Sequence, residues 1–247
     1  MRILYVFPHP DDESFGPARA IAAQTRAGHA VSLLTLTRGG ATRERFKLGL
    51  SVEQMGAVRA REMEQVAQVL ELSDLTILDF PDSGLKEMDP RVLEEAVAHH
   101  IREMRPQILV TYPVHGISGF HDHLVTHAVV KRVYTHLATA GNTPLCRLAF
   151  VTLTEEQARI SSGRHRLSGS SDEDVDCLMK VEEVDMQAFR EALDAYVTYE
   201  AMIRETGIKD SLDDVVAFEF FRESFHPPAG SLDAGLQNEA SSTELSP

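Results

Sequence analysis

At 247 residues and 43% hydrophobic, the chain can bury a substantial core and still form a single α/β domain. Its formal net charge of −14 argues against a nucleic-acid backbone or an anionic membrane surface as partner, since both repel it at long range. No apolar stretch is long enough to insert into a membrane, and two cysteines, Cys146 and Cys177, cannot build a disulfide framework.

The N-terminus runs directly into a short apolar stretch, residues 3–7 (ILYVF), which reads as a strand buried on both faces. No signal-peptide pattern precedes it, so a cytoplasmic protein is expected. Residues 15–28 have helical spacing and stop at Gly28, a natural C-terminal cap. Residues 30–37 (AVSLLTLT) are a second strand. A helix is expected over 51–72, capped by Ser51. Residues 75–80 form a third strand, and 90–104 a helix with Pro90 in its first turn. Residues 107–112 (QILVTY) form a fourth strand and 122–140 a further helix. This alternation calls for a Rossmann-like α/β domain, a mostly parallel sheet with helices on both faces. Beyond it the pattern weakens. Residues 147–153 read as a strand, 161–174 as an exposed polar loop, 175–184 as a strand, 186–205 as one amphipathic helix and 215–224 as a final strand. The domain is expected to end at 226. Residues 227–247 lack apolar periodicity and are expected to be a disordered tail.

Chemistry concentrates where the first strand stops. Pro8-His9-Pro10-Asp11-Asp12-Glu13 lies at the carboxyl end of that strand, the edge at which open α/β sheets bind ligands. The two prolines stiffen the turn. His9 and Asp12 are three residues apart and together offer an imidazole nitrogen and a carboxylate oxygen, a zinc donor set. Taken alone, the acids could simply favour the positive end of a helix dipole. A second cluster after the fourth strand tips the balance towards a metal site: His115, His121, Asp122, His123 and His127 fall within thirteen residues. The absence of GxGxxG and GxxxxGK[ST] patterns removes support for dinucleotide or P-loop chemistry. The segment 38–47 carries the densest basic run, Arg38, Arg43, Arg45 and Lys47, which reads either as a mobile surface loop or as a face for a carboxylate or hydroxyl-rich substrate, with Arg38 the residue expected to meet it.

"PHPDDE" at 8–13, with a later Gly-x-x-Asp-His stretch, resembles the PIG-L/LmbE family of zinc-dependent N-deacetylases. "VRARE" (Arg59 and Glu62), "FPDSGL" after the third strand and "AYVTYE" at 195–200 are further echoes. The resemblance implies removal of an acetyl group from an N-acetylglucosaminyl substrate, with a small bacillithiol-precursor-type glycoside favoured. It also implies self-association as a trimer or hexamer. Carried over by position, it makes His9, Asp12 and His123 ligands of Zn2+ and Asp11 the general base. The family motif His-Pro-Asp-His reads Phe120-His121-Asp122-His123 here. The first histidine, which acts as acid or oxyanion partner, is therefore missing in register. His121 is expected to replace it, with Asp122 orienting a neighbouring imidazole and His115 in reserve. Arg38, Arg59 and His115 are the residues expected to meet substrate. An i, i+4 metal pair of His123 and His127 fits helical geometry but not the family pattern.

Overall fold

The computed structural model describes residues 1–160 and 166–236. Its first half contains β1 (Arg2–Phe7), α1 (Asp12–Phe15), α2 (Ala18–Arg26), β2 (Ala30–Thr37), α3 (Glu44–Leu48), α4 (Val52–Val69), β3 (Asp74–Phe80) and α5 (Pro90–Met104). The second half adds β4 (Ile108–Thr111), α6 (His121–Ala140), β5 (Arg147–Thr152), α7 (Glu155–Ile160), β6 (Cys177–Lys180), α8 (Glu183–Ala195), α9 (Glu200–Thr206), α10 (Ile208–Ser211) and β7 (Val215–Phe220). Seven strands make one sheet in the order β3-β2-β1-β4-β5-β7-β6. Six of them run in one direction, β1 to β5 joined by parallel pairing, and β7 alone is reversed, antiparallel to both β5 and β6. This is the expected mostly parallel, single-domain architecture.

Strand alternation explains why helices cover both faces. Ile3, Tyr5 and Phe7 of β1 pack on one side with Ile21 of α2, Met63 and Val66 of α4 and Phe189 of α8. Leu4 and Val6 point the other way, into Leu93, Val97 and Ile101 of α5 and Val129 and Val133 of α6. Each such side chain, fully buried, contributes about 1.5–3 kcal/mol. A strand sandwiched this way needs no polar residue, which is why β1 reads as an unbroken apolar run. Ser51 caps α4 as expected. Its hydroxyl accepts from the Gln54 amide, and the Gln54 side chain accepts from the Ser51 amide in return.

The chain departs from expectation in four places. The first helix is split at Gly16-Pro17 into α1 and α2, since proline supplies no amide to continue the ladder. The long helix expected over 186–205 breaks after Ala195, where Tyr196 leaves helical geometry (φ −84°, ψ 71°) before a 3-10 turn at 197–199. Of the expected exposed loop 161–174, residues 161–165 lie outside the described residues, while Ser170 is buried and bridges to Thr154. The chain also stays packed beyond Pro227. Ala229 bridges to Cys177, Leu232 is buried, and the buried Arg147 donates to the Leu232 carbonyl and to Glu223. The expected tail is therefore corrected for 227–236; residues 237–247 lie outside the described residues. Among the described residues no helix is long and apolar enough to cross a membrane.

This topology places the site. From β1 the chain proceeds outward through β2 and β3, then returns to lay β4 on the other side of β1. The loops leaving β1 and β4 therefore separate in opposite directions, opening the crevice where doubly wound sheets bind ligands.

Candidate metal centre

His9 and Asp12 follow β1, and His123 sits in the first turn of α6, which follows β4. One donor atom from each lies within 4.8 Å of the others. His123 Nε2 is 3.2 Å from Asp12 Oδ1, and His9 Nδ1 is 3.5 Å from Asp12 Oδ2. The supports are specific. His123 Nδ1 faces the Gly116 carbonyl at 2.9 Å, which assigns the proton to Nδ1 and leaves Nε2 free as a ligand. Tyr112, just past β4, stacks on the His123 ring (4.1 Å between centroids, 9° between planes) and donates to Asp12 Oδ1 at 2.7 Å. One side chain thus fixes two donors that come from different segments.

A second group, Asp82 and Asp122, faces the other nitrogen of His9. Asp82 Oδ1 and Asp122 Oδ2 each lie 3.3 Å from Nε2. These three residues also satisfy the distance requirement for a cation, but their carboxylates are already engaged by backbone amides. Asp82 accepts from Ala41 N, and Asp122 from Ser83 N and Leu85 N. That is how an outer carboxylate steadies a metal-bound histidine. The group of His9, Asp12 and His123 is the better cation site.

The electrostatics fit a divalent ion. Asp12, Asp82 and Asp122 converge on His9, while Asp11 is paired with the Arg59 guanidinium. Burial alone would lower the His9 imidazole, but Asp12, Asp122 and Asp82 overcome it and push it up to about 10. Burial also opposes ionisation of Asp12, yet His123 and His9 hold its carboxyl well below the usual carboxylate range. The pocket favours added positive charge, and two imidazoles with a carboxylate form a recognised zinc donor set.

Asp11 stands beside this group without belonging to it. Its φ of 98° is left-handed, a sparsely populated conformation that costs on the order of 1–3 kcal/mol and is held only by its surroundings. The Arg59 guanidinium donates to the Asp11 carboxylate, to the Pro10 carbonyl and, at 2.9 Å, to the Gly39 carbonyl. Gly39 is itself dictated by this approach, because a Cβ there would sit 2.5 Å from Arg59 Nη1 at a φ of +63°. Burial raises the Asp11 carboxyl and Arg59 lowers it, leaving it at about 6.

The other expected site residues are distributed unevenly. Asp122 is buried against His9, as an orienting carboxylate should be. His121 opens α6 on its exposed side, outside both groups; one residue on a helix turns about 100°, so Asp122 and His123 face inward while His121 does not. Arg59 is almost fully buried and grips Asp11, so its expected contact with substrate is corrected to a role inside the protein. Arg38 is exposed and paired with Asp79. His115 is half-buried and bonded to Ser170 and to the Ile117 amide. His127 shares the inward face of α6, but its Nδ1 lies against the Tyr112 carbonyl and its ring against Phe150, so the i, i+4 metal pair does not form. Phe120 lies edge-on to His123. Sequence reasoning did not assign Asp82, Tyr112 or Tyr196. The first sat within the noted "FPDSGL" echo and the third within "AYVTYE".

Residues 4–134 match the family described as PIG-L: GlcNAc-PI de-N-acetylase. The 1D-myo-inositol 2-acetamido-2-deoxy-alpha-D-glucopyranoside deacetylase of Salinispora arenicola is 31% identical over 69% of this chain and 61% of its own length. Across four such inositol-glycoside deacetylases the match spans 46–61% of the relative's length. A probable N-acetyl-alpha-D-glucosaminyl L-malate deacetylase 2 of Bacillus subtilis is 26% identical over 91% of this chain and 95% of its own length. Solved structures that share the fold include deacetylases and also GalB, the 4-carboxy-2-hydroxymuconate hydratase of Pseudomonas putida KT2440 (TM-score 0.61, 14% identity, 90% of this chain and 96% of that one). With the matched segment covering more than half of its length and carrying His9, Asp11, Asp12 and His123, the chain belongs to the PIG-L/LmbE deacetylase family.

Proposed function

We propose that this chain hydrolyses the N-acetyl group of an N-acetylglucosaminyl glycoside with a zinc ion held by His9, Asp12 and His123. The observation that carries this is the meeting of those three donors at the crevice beside β1, with the uncoordinated carboxylate of Asp11 next to them. A bound zinc ion polarises a carbonyl and lowers the pKa of water from about 15.7 to about 7. Asp11 takes the proton of the attacking water at its carboxylate, while Arg59 keeps that carboxylate ionised and fixes its direction. The same carboxyl then returns the proton to the leaving amine. Asp82 and Asp122 hold the His9 ring so that its donor nitrogen keeps its position.

The end-to-end match to the malate-glycoside relative supports a small glycoside of the bacillithiol-precursor type as the substrate. The test is release of acetate from N-acetylglucosaminyl malate by zinc-loaded protein. Activity is expected to vanish on chelation and return with zinc. Hydrolysis of simple aryl acetates with none from the glycoside would make it an esterase instead. One feature favours a rival, a family member that binds metal without hydrolysis: Phe120 stands where the family pattern has a histidine. Full zinc occupancy with no acetate from any N-acetylglucosaminide would establish that rival.

A further inference from the structure

The break in the helix expected over 186–205 has no proline or glycine to cause it, and three side chains of the broken segment reach the neighbourhood of Asp11. Tyr196 is fully buried. Its hydroxyl accepts from the Asp11 amide at 2.8 Å and donates to Glu13 Oε1 at 2.7 Å. Glu13, also fully buried, accepts in turn from the Asp11 amide at 3.2 Å and from Ser14 Oγ at 2.8 Å. Two residues on, the Thr198 amide and hydroxyl both donate to the Glu62 carboxylate at 2.8 Å. Glu62 is one turn along α4 from Arg59, whose guanidinium lies over the Tyr199 ring, 4.6 Å from its centroid. The Tyr199 hydroxyl donates to Thr42 at 2.8 Å, closing the ring of contacts on the loop after β2.

We propose that Tyr196, Thr198 and Tyr199 form a clamp that holds Asp11 in its left-handed conformation and so aims its carboxylate, with Tyr196 as the positioning residue. The clamp rests on the reading of Asp11 as the base. Tyr196 is placed by the last turn of α8, where its φ of −84° is still helical; its ψ of 71° turns the chain that follows and brings Thr198 to Glu62 and Tyr199 to Arg59. Arg59 restrains the carboxylate of Asp11 and Tyr196 restrains its amide. The Glu62–Thr198 contact fixes both restraints to α4. In this arrangement the two family echoes that the metal group does not use, Arg59 with Glu62 and the 195–200 segment, are parts of one device.

Tyr196→Phe tests this, because it keeps the buried ring and removes only the hydroxyl. With acetate release as the assay, kcat is expected to fall about 10–100-fold, the scale seen when an outer-shell partner is lost. KM should stay within about twofold and zinc content should be unchanged. Val197→Ala, an exposed neighbour (68% exposed), should behave as the parent. A Tyr196→Phe enzyme with unaltered kcat overturns the clamp, as does one that loses zinc, KM and kcat together, which is the mark of a purely structural tyrosine. If the parent releases no acetate, the base reading fails and a crystal structure of Tyr196→Phe decides. Asp11 relaxing to negative φ supports the clamp, and Asp11 retained near +98° overturns it.

Discussion

Asp11→Asn is expected to bind zinc as the parent does and to lose about 10²–10⁴ of the turnover, the usual contribution of a positioned general base. The side chain keeps its size, and its carbonyl oxygen still accepts from Arg59, so the left-handed turn and the neighbouring donors stay in place. What disappears is the capacity to take a proton. The pH profile gives an independent check. Burial raises the Asp11 carboxyl and Arg59 lowers it, to about 6. Parent turnover should therefore fall as the pH drops through that region and the base becomes protonated, and a bound cation should shift this limb to lower pH. The residual activity of Asp11→Asn should lack the limb. Parent-like turnover in that variant would remove Asp11 from the base role.

His123→Ala should have an equally large effect through a different route. It deletes one of three donors, the partner of Asp12 Oδ1 and the ring on which Tyr112 stacks. Loss of an outer-shell partner alone weakens metal binding about 10–100-fold, and loss of a ligand should exceed that. Purified parent is expected to carry about one zinc per chain, in keeping with a single three-donor site, and the variant close to none. A thermal-shift titration gives a second measure. Zinc at 100 times its Kd stabilises the parent by about 2.7 kcal/mol and should leave the variant's melting temperature unmoved. His121→Ala, at an exposed position, should retain full zinc binding. Zinc retained at parent affinity by His123→Ala would place the metal elsewhere.

Much of this architecture was legible because it follows from local pattern. The buried β1 announces itself by its unbroken apolar run, the capping box by Ser51 and Gln54, and the first half of the site by a histidine and carboxylates stranded at a strand end. What was hidden depends on tertiary context. The His121 assignment took the histidine one place out of motif register, whereas the structure is governed by where α6 begins: starting the helix at residue 121 turns that side chain outward and its two successors inward. Arg59 was expected to meet substrate because sequence cannot show that Asp11, Pro10 and Gly39 provide enough acceptors to bury it. Tyr196 was hidden in a strongly amphipathic stretch, whose periodicity does not show that the chain turns after it to bring Thr198 and Tyr199 against α4. Residues 227–236 pack through Leu232 and Leu236, one bridge and a buried arginine far upstream, none of which produces periodicity.

Diffraction data collected at the zinc absorption edge from zinc-loaded crystals test the central claim most directly. A single anomalous peak should appear within bonding distance of His9, Asp12 and His123, about 2.0–2.2 Å from each donor, with Asp11 beside it and not bonded. No peak there, or a peak held by Asp82 and Asp122 with His123 turned away, would contradict it.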